Sequence, residues 1–111
     1  MSKELYLCDA HELAQKLRDG EVTAEALVQM FLDRIETLDT KIHAYLYVDA
    51  QGALETARQV DKDRQAGKEL PPFAGVPIAI KDNMVTRGKP TTCASKILEG
   101  WLPPYDATVV L

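Results

Sequence analysis

Apolar and polar positions change their spacing several times along this chain, and each change predicts an element. Leu13, Ala14 and Leu17 form a short stripe at helical spacing, and Gly20 follows as a stop. Asp9 and Glu12 have the spacing of a capping box, and their charge suits a helix N-terminus. Thr23 reads as the cap of a second helix, along which Leu27, Phe31, Ile35 and Leu38 recur every three or four residues. Together these predict a helical hairpin over about residues 9–38.

The period then shortens. Ile42, Ala44, Leu46 and Val48 alternate with His43, Tyr45 and Tyr47, which predicts a half-buried strand over 42–48. Asp49 is placed to cap a third helix over 50–66, with Leu54, Ala57 and Val60 as its apolar face and Gly67 at its end. The charged run Asp61-Lys62-Asp63-Arg64 reads as that helix's solvated side. After the turn at Leu70-Pro71-Pro72-Phe73, residues 76–80 are continuously apolar, the pattern of a strand buried on both faces. Pro77 lacks a ladder donor and so belongs near its start. Residues 82–105 read as loop, with a helical turn near Ser95 to Leu98. Asp106 is placed to cap a helix from about residue 107, and the chain stops at Leu111 within its first turn, so it is expected to be part of something longer.

The 111 residues make about one small domain. With 46% hydrophobic and 27% charged residues the composition is that of a soluble globular protein. A net charge of −4 argues against a broad nucleic-acid-binding surface, though a partner protein can carry the basic surface instead. Cys8 and Cys93 lack the spacing of a zinc site or a disulfide framework, and free thiols fit a reducing compartment. No run approaches the roughly 18 apolar residues that a membrane span requires. Met1-Ser2-Lys3-Glu4-Leu5 has no apolar signal core. The expected location is the cytoplasm, away from membranes.

Lys81 is the residue with the most chemistry. It ends the run Gly75-Val76-Pro77-Ile78-Ala79-Ile80-Lys81-Asp82-Asn83, where an apolar strand would carry it toward the interior. A buried ammonium is costly unless it loses its proton, finds a carboxylate or reaches water along its stem. From spacing alone, Lys81 reads as a strand-end lysine paired with Asp82. Losing the proton instead would make it a general base, which requires its pKa to fall from roughly 10.4 toward working pH. Desolvation can supply a shift of up to about 3–5 units. Small Ala79, on the same face of a strand, would leave room beside the amine.

Asp82 and Asn83 favour turns and are expected to bend the chain away from the strand. Thr91, Thr92 and Ser95 are candidates for contacting substrate, set against a plain polar surface loop. Ser95 is the one serine near Lys81 in sequence, but it lacks a Gly-rich nucleophile setting. Cys93 reads as a small buried hydrophobe. His11 and His43 read as solvated, and Trp101 with Pro103, Pro104 and Tyr105 as packing a loop onto the core. Neither a phosphate-cradling loop nor a metal-ligand constellation is present in the sequence.

Read together, residues 75–83, Thr91-Thr92-Cys93-Ala94-Ser95-Lys96-Ile97-Leu98 and Pro103-Pro104-Tyr105-Asp106-Ala107-Thr108-Val109-Val110 resemble the amidase signature family. Within it they look most like the ammonia-supplying components of tRNA-dependent amidotransferases. The likeness spans essentially the whole chain. It implies an α/β fold, with the N-terminal helical hairpin followed by the first strands of a mixed sheet flanked by helices. It also implies a triad of two serines and a lysine, in which Lys81 matches the lysine.

In that family the amine takes a proton through a serine in a cis peptide, which activates the nucleophilic serine. Glutamine is hydrolysed, and the ammonia is used with ATP by the partner subunits B and C to amidate misacylated tRNA. No cofactor or metal is expected on this chain itself. Both family serines lie in a Gly/Ser-rich stretch downstream of residue 111, so the 111 residues alone are expected to be inactive. Ala94 stands where many members carry Gly. Two rival expectations remain: another amide hydrolase of the same family, and a non-catalytic module whose hairpin binds a partner.

Overall fold

A computed structural model describes residues 3–111. The chain divides into two compact units, Met1–Pro77 and Ile78–Leu111.

The first unit holds three helices: α1 (Ala10–Arg18), α2 (Ala24–Ile42) and α3 (Ala50–Gln65). Each begins on a side-chain cap. Asp9 Oδ1 accepts from the Glu12 N–H at 2.8 Å while Glu12 Oε2 accepts from the Asp9 N–H at 2.7 Å, so both arms of the capping box are formed. Thr23 Oγ1 accepts from the Ala26 N–H, and Asp49 Oδ1 from the Gly52 N–H. Leu13 and Leu17 of α1, Ala24, Leu27 and Val28 of α2 and Ala57 of α3 meet in one buried cluster, with Leu54, Val60 and Val76 against its edge. Truncating a leucine in such a core costs about 2–5 kcal/mol.

The run Asp61–Arg64 is not simply a solvated face. The Asp61 carboxylate accepts from the N–H groups of Ala24 and Glu25, satisfying two donors that α2 cannot satisfy itself. Arg64 Nη2 donates to the Ala74 carbonyl at 3.1 Å, and Arg18 Nη1 to that of Pro72 at 2.9 Å. These two guanidinium groups tie the Pro-rich segment to α3 and α1.

Gly75 completes that packing. Its φ of +94° is left-handed, and a Cβ there would lie 3.0 Å from Ala24 Cβ and 3.2 Å from Leu17 Cδ1.

The expected α/β architecture is overturned. Among the described residues the regular elements are all helical, with no strand and no sheet. Over residues 42–48 the helix wins the first position, because α2 continues to Ile42 and His43 closes it in the left-handed region at φ 56°. The Asp39 carboxylate then takes the amides of Ala44 and Tyr45, groups a ladder would need. Tyr45, Leu46, Tyr47 and Val48 are all exposed, so the alternation marks no buried face. Over residues 76–80 the Val76 N–H closes a turn onto the Phe73 carbonyl, and Ile78 is 84% exposed. An apolar run is only a strand if another strand pairs with it.

The second unit is held by turns rather than by long elements. Its one helical segment is the 3₁₀ turn Lys96–Leu98. Gly88 N–H donates to the Pro103 carbonyl, Ala107 N–H to that of Val85, and Arg87 N–H to the Asp106 carboxylate at 2.6 Å. Asp106 therefore binds a loop amide rather than capping a helix, and from Ala107 the chain makes a single turn. Thr91 and Pro103 are the buried side chains here.

Candidate functional site

The candidate residues lie in the second unit, on the turn after Ile80 and the loop from Thr91 to Ser95. The Met84 N–H donates to the Lys81 carbonyl at 3.0 Å, closing a tight turn with Asp82 and Asn83 at its centre. This is the bend that their residue types predict.

Asp82 does more than bend the chain. Its Oδ1 accepts from the Thr92 N–H at 3.0 Å, and its Oδ2 from the Thr92 hydroxyl at 2.5 Å and the Ala94 N–H at 3.4 Å. Its backbone carbonyl accepts from the Cys93 N–H at 3.0 Å. The Thr92 hydroxyl, followed by the Thr92 N–H, holds the Asp82 carboxyl below the usual aspartate range; partial burial opposes the shift and the Ala94 N–H adds to it.

Across from Asp82 the chain is in an uncommon conformation. Cys93 and Ala94 are both left-handed, at φ 52° and 56°, and the Ser95 N–H closes onto the Thr92 carbonyl at 2.8 Å. Two successive left-handed residues form the primed kind of tight turn, usually built from Gly, Asn or Asp. Ala94 thus occupies a position where glycine carries no steric cost. Cys93 is exposed, contrary to the buried hydrophobe its residue type suggests, because the turn projects it outward.

The three hydroxyl candidates all have intramolecular work. Thr91 is 2% exposed; its Oγ1 accepts from the Thr86 N–H and donates to the Lys89 carbonyl, each at 3.4 Å. Thr92 binds Asp82. Ser95 Oγ accepts from the Ile97 N–H at 3.3 Å and caps the 3₁₀ turn.

Lys81 itself is exposed, and no hydrogen bond or ion pair to its amine is found among the described residues. The pairing with Asp82 that spacing suggests is not formed, since that carboxylate is occupied by Thr92 and Ala94. His11 and His43 are exposed, and among the described residues no group of three or more His, Cys, Asp or Glu side chains is placed to hold a metal ion. Trp101 keeps 36% of its surface exposed. No helix among the described residues is long and apolar enough to cross a membrane.

The Amidase family's sequence profile matches residues 26–111, a span that contains Lys81, Asp82 and the 92–95 turn. The chain belongs to the amidase family. It is 59% identical over 101 residues to the A subunit of the glutamyl-tRNA(Gln) amidotransferase of Acidothermus cellulolyticus, covering 91% of this chain and 20% of that protein. The Renibacterium salmoninarum protein of the same name is 56% identical over 107 residues, covering 96% and 21%. That of Streptomyces coelicolor is 56% identical over 100 residues, covering 90% and 20%.

Among solved structures, one chain superimposes with a TM-score of 0.87 at 29% identity, over 93% of this chain and 23% of that one. It comes from an inhibitor-bound "unexpected vestigial protein complex" that "reveals the evolutionary origins of an s-triazine catabolic enzyme". This chain spans about a fifth of the length of the curated relatives it matches.

Proposed function

We propose that this chain is a segment of the glutamine-hydrolysing A subunit of a tRNA-dependent amidotransferase, with Lys81 as its general base. The observation that carries the reading is the 59% identity to the corresponding component of a glutamyl-tRNA(Gln) amidotransferase over 91% of the chain. The substrate is glutamine. The ammonia released amidates glutamate or aspartate misacylated on tRNA, with ATP, in a complex with subunits B and C. The cytoplasm, where translation takes place, is the corresponding location.

In this reading the Lys81 amine, in its neutral form, accepts a proton relayed from the attacking serine. The serine oxygen forms a bond to the glutamine carboxamide carbon, and the C–N bond breaks as the nitrogen leaves with a proton as ammonia. Water then cleaves the acyl ester, giving glutamate and restoring the serine. Lys81 is exposed here, so the base role requires the rest of the full-length protein to desolvate it.

The test is ammonia release by the full-length protein, with and without subunits B and C and misacylated tRNA. Stimulation of glutamine hydrolysis by the partners, with transfer of its nitrogen to the aminoacyl ester, supports the reading. Amide hydrolysis indifferent to both partners and tRNA refutes the amidotransferase assignment and leaves a plain amidase.

A further inference from the structure

The turn at Lys81 and the turn at Thr92 are joined almost entirely through one residue. Asp82 receives the Thr92 N–H, the Thr92 hydroxyl and the Ala94 N–H on its carboxylate, and the Cys93 N–H on its carbonyl. Three successive amides of the 92–94 segment therefore converge on the residue bonded to Lys81. The Lys81 carbonyl is separately fixed by the Met84 N–H. A surface loop does not need this density of bonds to bend.

We infer that Asp82 is a positioning residue for Lys81, a buckle that fastens the 92–94 turn to the backbone beside the lysine and so sets where its amine is presented. The inference rests on the proposed role of Lys81 and deepens it. It also gives the strained turn a purpose, because the left-handed pair Cys93–Ala94 aims the amides at Asp82. A lysine side chain has four rotatable carbons, so its reach is only as well defined as the backbone that carries it. Asp82 does not touch substrate; it acts through Lys81.

Asp82→Asn is the informative substitution. It keeps the shape, but an amide has one acceptor oxygen where the carboxylate has two, and its NH₂ would face donors. In the full-length protein we expect kcat for glutamine hydrolysis to fall about 10- to 100-fold, the scale associated with misplacing a catalytic group by about 1 Å, with KM little changed. In a Lys81→Ala background the same substitution should lower kcat no further.

If Asp82→Asn fails to fold, Thr92→Val decides, since it leaves the carboxylate in place and removes only the hydroxyl that donates to Asp82 and accepts from the Ala94 N–H at 3.1 Å. It should lower kcat with KM held, and Thr92→Ser should recover much of the loss. A wild-type kcat in the folded variant, or an equal loss with and without Lys81, overturns the inference. The failures are distinguishable: a fully active Lys81→Ala protein refutes the role of Lys81, whereas an inactive Lys81→Ala with a fully active Asp82→Asn refutes only the buckle.

Discussion

The Asp61 carboxylate on α3 caps the start of α2, accepting from the Ala24 N–H at 2.8 Å and, through its second oxygen, from the Glu25 N–H at 3.0 Å. One side chain thus joins two helices by satisfying donors that would otherwise be left at a partly buried helix end. Asp61→Ala should destabilise the chain by about 1–3 kcal/mol, more than loss of an ordinary exposed cap. Urea denaturation of the 111-residue chain measures this. A change within about 0.5 kcal/mol, the range of an ordinary surface substitution, would show that Thr23 suffices.

Gly75 and Gly20 separate strain from packing. Both have left-handed φ, +94° and +73°, but only Gly75 would place a Cβ against Ala24 and Leu17; Gly20 has nothing within 4 Å. Gly20→Ala should cost about 1–2 kcal/mol, the conformational term alone. Gly75→Ala should cost a further 1–3 kcal/mol or so from overpacking. Equal losses of thermal stability for the two would mean that the helices yield freely around residue 75.

The depressed Asp82 carboxyl predicts how the 92–94 turn responds to acid. Its folded pKa lies below the ordinary value of about 3.8, so the unfolded chain binds the proton more readily. The stabilisation is therefore fully present above about pH 4 and is lost as pH falls through the lower, folded value. The protection of the Thr92 and Ala94 amides, followed by NMR and taken relative to their intrinsic exchange rates at each pH, should hold from neutral pH down to about 4 and fall below it. Asp82→Asn should abolish that pH dependence, and a transition near neutrality would contradict the assignment.

How far the sequence reveals the structure follows from the range of the forces involved. Helix starts are local: Asp9, Thr23 and Asp49 each bond an amide three residues ahead, so they are readable from spacing. The apolar stripe of α3 is readable too, but a charged run beside it suggests solvation for Asp61 and Arg64, although both continue the spacing of Ala57 and Val60. A polar residue in register with an apolar stripe is the available signal that each has a partner.

The strands fail for a different reason. Alternation over 42–48 and an apolar run over 76–80 describe side chains, whereas a sheet depends on a second backbone. In the candidate site, Lys81 and Asp82 are visible as residue types at the end of a motif. That Asp82 binds Thr92 and Ala94 rather than Lys81 depends on how the intervening loop closes, which spacing does not specify.

The 111-residue chain itself gives a direct negative test. Incubated with glutamine, it should release no ammonia above background: in the proposed mechanism Lys81 only accepts a proton relayed from a nucleophile, and Ser95 Oγ is engaged by the Ile97 N–H. Turnover by this chain would require a nucleophile among its own residues, with Ser95 the first to substitute.

The central claim is that Lys81 is the base, and glutamine hydrolysis by the full-length protein carrying Lys81→Ala or Lys81→Arg tests it most directly. Both should lose activity by about 100-fold or more, arginine included, since its guanidinium does not give up a proton near neutral pH. A wild-type rate in a folded Lys81→Ala protein would contradict it.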